Sequence, residues 1–394
     1  MEIPARKGKM ALVKPDAASF AKIKVLGIGG GGGNAINSMI EENQIRGVEF
    51  VAINTDAQAL LLNKAQIKIQ IGENLTRGLG SGGNPETGKK AAEESKEKIK
   101  EHLADTDMVF LAGGMGGGTA TGGMPVIAQI AKEAGALTVA VITKPFAFEG
   151  ARRMVVAEEG IENLTDKVDT LIVIPNQRIM EVVDKKMTLL EAFKVVDGVL
   201  GQAVQGISEI ITVPGLINRD FADVKAIMSN AGSALLGIGT GVGENRAQAA
   251  VRAAISSPLL DVSIEGAKGI LFQVTGGPDL TMTEVDEAAK IISQAADADA
   301  NIIFGATIEE SMIDQMKVTV IATGFDETKL RLERMVSRPV TKLPEGLIST
   351  LSQPKTELGK EEKEGKEEIK KVEVVSPEEF ESELDIPAFL RQSK

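Results

Sequence analysis

The chain of 394 residues contains no cysteine, tryptophan or tyrosine and only one histidine, His102. The absence of cysteine excludes disulfides, thiolate metal sites and cysteine nucleophiles, and it is compatible with a reducing compartment. The single histidine lies in a stretch rich in Lys and Glu. We expect it at the surface, and it offers little basis for a zinc site or a Ser-His-Asp triad. Because aromatic residues are 3% of the chain and all are Phe, an aromatic platform for single-stranded bases is not expected.

Positive charge and long apolar runs are also scarce. The formal net charge is −12, which argues against a nucleic-acid partner. No apolar run reaches about 18 residues and the N-terminus has no apolar signal segment, so neither a transmembrane span nor secretion is expected. We therefore expect a cytoplasmic protein without direct membrane insertion.

Glycine, in contrast, is abundant, with 42 residues against a usual share of about 7%. The first cluster, Gly29 to Asn34, follows the apolar run at 23–28 and precedes a helical pattern. A strand, a glycine loop and a helix in this order place several backbone N–H groups at a helix N-terminus, where they favour a phosphate. The cluster therefore predicts a phosphate-binding loop.

This first cluster leaves a second interpretation open. Gly27, Gly29 and Gly32 match the GxGxxG pattern of dinucleotide-binding oxidoreductases, and Asp56 follows the second strand near the position of a ribose ligand. A second glycine cluster, from Gly113 to Gly122, favours a different ligand. Two phosphate cradles on one sheet suit a nucleotide with several phosphates, whereas a dinucleotide needs only the first.

A third stretch, Gly83 to Lys90, spells GxxxxGK, the first part of a Walker motif. It lacks the Ser or Thr that would hold Mg²⁺, and no predicted strand precedes it. Asn84 followed by Pro85 instead predicts a helix cap with proline at the first helical position. We interpret this stretch as structural, at the border of the nucleotide site.

Strand and helix patterns alternate along the chain, which predicts a doubly wound α/β sheet with helices on both faces. Apolar runs typical of buried parallel strands lie at 23–28, 48–54, 108–112, 137–143 and 170–175, with helical patterns such as 86–103 and 123–135 between them. A long helical pattern covers 188–212. A smaller α/β region follows, with strands predicted at 269–274, 300–307 and 316–323 and a helix at 283–296.

The loop motifs carry a specific resemblance. GGGGGNA (29–35), NTDAQAL (54–60), GLGSGGNPE (78–86), GGGTATG (116–122) and TKPFAFEG (143–150) resemble the loops of the FtsZ family, the bacterial tubulin-like cell-division GTPases. The resemblance covers about 22–325, together with the motif DIPAFLR at 385–391. It implies a tubulin/FtsZ-like α/β fold, in which a Rossmann-like GTPase domain is joined by a long central helix to a smaller α/β domain and a disordered tail.

We expect six segments along the chain. They are a flexible leader (1–21), a GTP-binding domain (22–187), the central helix (188–212), a second α/β domain carrying the catalytic loop (213–325), a largely disordered linker (326–384) and a partner-binding peptide (385–394). The linker is rich in Glu, Lys and Pro and has too few large apolar residues to offset chain entropy. Ile386, Phe389 and Leu390 have the spacing of a groove-binding peptide. The resemblance implies that this peptide binds membrane-tethering adaptors and division regulators.

The resemblance assigns GTP or GDP to residues at four places in the chain. The expected phosphate contacts are Gly30, Gly31, Gly32, Gly33, Asn34, Gly117, Gly118, Thr119, Ala120 and Thr121, those near the sugar are Glu149 and Arg153, and those of guanine are Asn176, Phe193 and Asp197. Ala120 stands where the family usually has glycine, which is harmless in a helical or extended backbone and costly at positive φ. Phe193 and Asp197 share a helix face, although periodicity alone would favour a core Phe and an exposed Asp.

Asn218, Asp220 and Asp223 match the NxDxxD loop that, in this family, inserts into the neighbouring subunit. The resemblance implies that the two aspartates position water at the next subunit's γ-phosphate, with Mg²⁺ sharing the charge; no protein ligand of the metal is predicted. Hydrolysis would then require a head-to-tail homopolymer, expected at the division site near mid-cell. The residues also fit a helix cap with Asp220 at the N-cap. A GTP-binding filament without catalysis is the alternative function.

Overall fold

A sheet of ten strands runs through the part of the chain that the computed structural model describes, residues 21–42, 45–182, 187–212, 220–257 and 263–325. The strands are Ile23–Ile28 (β1), Val48–Asn54 (β2), Ile67–Gln70 (β3), Met108–Gly114 (β4), Leu137–Lys144 (β5), Thr170–Pro175 (β6), Gly232–Val242 (β7), Gly269–Gly276 (β8), Asn301–Ile308 (β9) and Gln315–Thr323 (β10). Their order across the sheet is β3-β2-β1-β4-β5-β6-β7-β10-β8-β9.

The helices of the same ranges connect and cover these strands. They are Gly29–Glu41 (α1), Ala57–Leu62 (α2), Glu73–Thr76 (α3), Pro85–Glu94 (α4), Lys96–Leu103 (α5), Thr119–Glu133 (α6), Ala151–Thr165 (α7), Asn176–Val182 (α8), Leu189–Thr212 (α9), Phe221–Met228 (α10), Arg246–Ile255 (α11) and Met282–Ala295 (α12), with a short 3-10 helix at Ala147–Glu149. None of the described helices is long and apolar enough to span a bilayer.

The strands from β1 to β6 pair in parallel, and β7 joins β6 in parallel through a short register, Thr170–Ile172 against Gly232–Ala234. Beyond β7, β10 is antiparallel to both β7 and β8, while β9 is parallel to β8. The predicted doubly wound parallel sheet is therefore confirmed for the first part of the chain, and the second part is a mixed α/β sheet.

Helix α9 packs against both parts of the sheet. Its buried Leu200 and Ile207 belong to the same apolar cluster as Val25 of β1 and Leu271 of β8. A second cluster lies on the other face of β1 to β6, under α4 to α7, and a third under α11 and α12. The long central helix predicted from the sequence is thus confirmed. The six segment boundaries stay a prediction.

Most predicted strands appear within two residues of their expected ends, but β3 and β7 have no counterpart in the sequence prediction. Glycine lowers strand propensity, and β7 reads GSALLGIGTGV. A Cβ at Gly237, Gly239 or Gly241 would collide with backbone atoms of α11. Helix α11 can therefore pack closely on β7 only because these positions are glycine. A strand pattern in the sequence carries no information about this packing.

Two helix predictions were wrong in their extent. The pattern at 86–103 is divided into α4 and α5 at Ser95, whose hydroxyl accepts a hydrogen bond from the N–H of Gly72. The helix expected at 123–135 already begins at Thr119. Residues 1–20, Asn218, the linker at 326–384 and the peptide at 385–394 lie outside the described residues.

Candidate functional site

The carboxyl ends of β1 and β4 form the reversal point of the strand order. These strands are neighbours, but β1 leads through α1 to β2 on one side, and β4 leads through α6 to β5 on the other. In open α/β sheets ligands bind in the crevice outside such a point. Both glycine clusters lie here, and the N-termini of α1 and α6 meet at this crevice.

The first glycine cluster forms the start of α1 and not a loop before it, which corrects the sequence prediction. Gly29 has a φ of +72°, and a Cβ there would lie 3.3 Å from the backbone nitrogen of Ala120. At Gly31 a Cβ would lie 3.3 Å from the backbone nitrogen of Gly114, whereas a Cβ at Gly30 would meet nothing within 4 Å. The N–H groups of a first helical turn have no partner within their helix, so the correction leaves donors for a phosphate.

The second glycine cluster forms a closed turn between β4 and α6. Gly116 has a φ of +94°, and its N–H donates to the Thr121 hydroxyl at 2.9 Å. A Cβ at Gly116 would lie 2.7 Å from Cγ of Arg153, so this arginine lies directly against the turn. Thr121 is only 3% exposed, and its hydroxyl holds the turn. Gly117 has open space where its Cβ would be.

Three hydroxyl groups meet beside this turn. Oγ1 of Thr119 lies 2.8 Å from Oγ1 of Thr55 and 3.0 Å from Oγ of Ser81. Thr55 follows β2, and Ser81 belongs to the loop before α4. Sequence analysis did not single out Thr55 or Ser81, because their partner is distant in the chain.

Glu149 and Arg153 lie together at the end of β5. Arg153 forms an ion pair with Glu149 across 3.1 Å, and the other carboxylate oxygen of Glu149 accepts the N–H of Phe146 at 2.8 Å. Glu149 thus also closes the short 3-10 helix. The arrangement places one positive and one negative side chain beside the second glycine turn.

Asn176 opens α8 directly after β6 and is 4% exposed. Its Oδ1 is one of two buried side-chain oxygen or nitrogen atoms in the described residues that lack a hydrogen-bond partner. Buried amide oxygens nearly always have a partner, so this atom is suited to accept a hydrogen bond from a ligand.

Phe193 and Asp197 lie one turn apart near the start of α9. Phe193 is 38% exposed and its edge meets the buried ring of Phe146, with 5.4 Å between ring centroids. Burial, and then the nearby charge of Glu42, raise the pKa of Asp197 to about 7. The pattern of a buried Phe and an exposed Asp is therefore reversed: the ring is accessible for stacking, and the carboxyl is partly desolvated.

Comparison with known proteins decides the family. Residues 22–184 match the profile of the Tubulin/FtsZ family, GTPase domain, and residues 232–326 match that of the FtsZ family, C-terminal domain. The solved structure of an FtsZ dimer from M. jannaschii is 53% identical, covers 77% of this chain and 88% of its own, and has a TM-score of 0.73. The chain belongs to the tubulin/FtsZ family.

Further relatives agree with this assignment. Another M. jannaschii FtsZ structure, of a point mutant, is 53% identical, covers 78% of this chain and 92% of its own, and has a TM-score of 0.74. CetZ2 of Haloferax volcanii, solved as a GTPgS-bound protofilament, is 20% identical over 80% of this chain and 97% of its own, with a TM-score of 0.67. That identity supports the fold alone. The tubulin/FtsZ family consists of GTPases, and the predicted resemblance is confirmed.

Ala120, which stands where the family usually has glycine, lies in the first turn of α6. It is absent from the described non-glycine residues with positive φ. The backbone thus has the helical conformation in which a Cβ causes no strain. Ala120 therefore gives no conformational reason to prefer the alternative function, a GTP-binding filament without catalysis.

Asp220 and Asp223, the described acidic residues of the loop at 218–223 (the acidic loop), lie away from the crevice. Asp220 caps α10, and the carbonyl of Met228 at the other end of α10 accepts from the hydroxyl of Thr170, the first residue of β6. Thr212, the last residue of α9, packs against Gly47 just before β2. Both contacts are at the amino ends of the strands, whereas the glycine clusters are at the carboxyl ends. Asn218 lies outside the described residues.

Two other motifs have structural roles. Asn84 caps α4 by accepting the N–H of Glu86, with Pro85 at the first helical position, as predicted for the incomplete Walker motif. Asp56 caps α2 by accepting the N–H groups of Gln58 and Ala59. Since the candidate ribose ligand of a dinucleotide fold is used in this cap, the structure offers no support for an oxidoreductase.

Proposed function

We propose that the chain binds GTP in the crevice between β1 and β4, polymerises head to tail and hydrolyses GTP where two subunits meet. The observation that carries the proposal is the convergence of two helix N-termini, α1 and α6, on the open space at Gly30 and Gly117. Their N–H groups and dipoles favour several adjacent phosphates. The contacts proposed for the phosphates are the predicted ones, Gly30 to Asn34 and Gly117 to Thr121, with Thr121 acting through the turn.

The order of the strands gives the nucleotide a direction. Across the sheet, the ends of β1 and β4 are followed by Glu149 and Arg153 after β5, and by Asn176 after β6. We place the sugar beside Arg153 and the base between Asn176, Phe193 and Asp197. An ionised Asp197 accepts from both N1–H and the 2-amino group of guanine, a pair of donors that adenine does not have.

Mg²⁺ would accompany the phosphates. Among the described residues no cluster of three His, Asp or Glu side chains could hold an ion by itself. Mg²⁺ keeps several waters and commonly binds through phosphate oxygens, so this site fits an ion held mainly by the nucleotide. When bound, the ion would neutralise charge on the phosphates.

The positions of the acidic residues support hydrolysis between subunits. Phe193 and Asp197 lie near the start of α9, and the acidic loop follows its other end; 24 helical residues span roughly 35 Å. A single subunit therefore does not bring Asp220 and Asp223 to its own crevice. In a head-to-tail pair, the amino-end face of one subunit meets the crevice of the next, where these carboxylates, with Asn218, would orient and polarise the attacking water. The related FtsZ dimer structure supports self-association of the chain.

We extend the proposal to the cell: the filaments form the cytokinetic ring at the division site near mid-cell in the cytoplasm. The peptide at 385–391 would bind membrane-tethering adaptors and division regulators. In this arrangement, 22–187 binds GTP, 188–212 is the central helix, 213–325 carries the acidic loop, and 326–384 is the linker to the peptide.

A mixing experiment tests the shared site. One variant, Asp223→Ala, keeps the crevice; the other, Gly30→Ala, keeps the acidic loop. Each is expected to hydrolyse GTP poorly alone, and their mixture is expected to recover activity because one subunit supplies what the other lacks. Phosphate release and sedimentation are measured together against total protein. Two results together would contradict the proposal. The mixture would be no more active than its components, and wild-type turnover per subunit would be independent of protein concentration.

A further inference from the structure

Helix α10 has the acidic residues at its first end and contacts the sheet through its last turn. Asp220 is the N-cap, and Asp223 lies in the first turn. The helix has only eight residues, which span roughly 12 Å. Because a hydrogen-bonded helix of this length is stiff, the contacts of its last turn also determine where the two carboxylates lie.

The last turn of a helix has carbonyl groups without a partner in the helix itself. In α10 the carbonyl oxygen of Met228 accepts a hydrogen bond of 2.6 Å from the hydroxyl of Thr170, the first residue of β6. Thr170 and Met228 are both 0% exposed, so bulk water is not at hand to replace this bond. A buried carbonyl without a partner is costly, and the bond therefore holds the end of α10 in one place on the sheet.

A second threonine hydroxyl lies at the same end of α10. Oγ1 of Thr323, the last residue of β10, lies 3.3 Å from the carbonyl oxygen of Ile227 and 3.3 Å from that of Gly269. A hydroxyl has one hydrogen, so Thr323 shares it between two acceptors. The bond from Thr170 to Met228 is shorter, and we infer that it is the stronger of the two contacts.

We propose that Thr170 is a positioning residue for hydrolysis, which holds α10 through Met228 so that Asp220 and Asp223 reach the crevice of the next subunit. This inference rests on the proposed hydrolysis between subunits. It adds to that proposal a residue that contacts neither the nucleotide nor the attacking water. A displacement of about 1 Å at a catalytic group can lower a rate about 100-fold, so a contact at the far end of a short helix is sufficient for such a role.

Substitutions in the full chain test this role. Thr170→Val replaces the hydroxyl by a methyl group and leaves the carbonyl of Met228 without its donor. We expect GTP turnover per sedimented subunit to fall about tenfold or more. The dissociation constant of GTP should not change, because the crevice residue Asn176 lies beyond the other end of β6. Thr170→Ser retains the hydroxyl and should retain turnover.

Thr138→Val is the matched control. Thr138 is also 0% exposed and lies at the start of the neighbouring strand β5, but its hydroxyl donates to the carbonyl of Ala136 and not to α10. This variant should lose stability in thermal unfolding and keep its turnover. Thr323→Val removes the weaker contact of α10, and we expect from it a smaller loss of turnover than from Thr170→Val.

Mixtures of variants show which face of the subunit a substitution affects. Thr170→Val keeps the crevice, so it should recover activity with Gly30→Ala, whose acidic loop is intact. With Asp223→Ala it should stay inactive, because both subunits then lack a working acidic loop. A general loss of stability would not distinguish the two mixtures.

Several results would overturn the role of Thr170. They are full turnover in Thr170→Val, an equal loss in Thr138→Val, any recovery with Asp223→Ala, and no recovery with Gly30→Ala. Full turnover in Thr323→Val would also contradict the holding of α10 by these hydroxyls. If Gly30→Ala and Asp223→Ala do not recover activity with each other, the shared site itself is wrong, and the proposed function fails together with this inference.

Discussion

The Oδ1 atom of Asp220 accepts a hydrogen bond of 2.9 Å from the backbone N–H of Asp223. The two acidic residues are thus joined by the N-cap of α10, so the proposed catalytic role of Asp220 coincides with a structural one. The chemistry of capping allows them to be separated, because Asn caps a helix about as well as Asp.

Asp220→Asn should therefore keep the cap and lose the charge. We expect its free energy of unfolding to change by less than about 0.5 kcal/mol, while GTP turnover of the assembled protein falls about 100-fold, as for loss of a group that activates water. Asp220→Ala should lose about 1 kcal/mol as well. Urea unfolding and phosphate release measure the two effects. Full turnover in Asp220→Asn would show that the charge is not used.

The raised pKa of Asp197 should make nucleotide affinity dependent on pH. If guanine binds the ionised carboxyl, affinity should fall about tenfold between pH 8 and pH 6, since the pKa of this group is about 7. Asp197→Asn is the reference, because it shares every other titrating group, including those of the nucleotide. A pH profile that is identical in the two proteins would contradict the base contact.

The same group affects folding stability with the opposite trend. Its pKa is near 4 in an unfolded chain and about 7 in the folded one, so the folded state binds more protons in this interval. The stabilising contribution is complete below about pH 4 and is lost as the pH rises through about 7. Relative to Asp197→Asn, the wild type should lose stability on going from pH 4 to pH 8, measured by thermal unfolding without nucleotide.

Ala120→Gly should have little effect on hydrolysis. Because Ala120 is helical, restoring the family's usual glycine relieves no strain, and we expect GTP turnover within about twofold of the wild type. Glycine in a helix costs up to about 1 kcal/mol, so a small loss of stability is expected. A large increase in turnover would show that the Cβ of Ala120 obstructs the reaction.

Gly30→Ala should fold normally and bind GTP at least about tenfold more weakly. The new Cβ meets no protein atom within 4 Å, but it occupies the space through which the N–H groups of α1 approach a phosphate. Thermal unfolding and nucleotide titration measure the two properties. If the affinity is unchanged, the phosphates do not pass over the start of α1.

The sequence was sufficient for five of the six strands from β1 to β6 and for the place of the candidate site. Strands buried on both faces appear as continuous apolar runs, and β1 and β4 are such runs, each followed directly by glycines. Both the strand and the helix N-terminus are local features. The crevice between them follows from the general order of strands in such sheets, so local patterns could locate it.

Contacts between distant residues decided the remaining features. The glycines of β7 allow α11 to pack closely on the strand, and Asp56 caps a helix. Burial, and then the charge of Glu42, raise the pKa of Asp197. Thr55 and Thr119, 64 residues apart, share a hydrogen bond, and Thr119 also lies within hydrogen-bond distance of Ser81. A residue has the same letter in the sequence whatever surrounds it in the folded protein. Its partners, and with them its charge, are decided only when packing brings the strands and helices together.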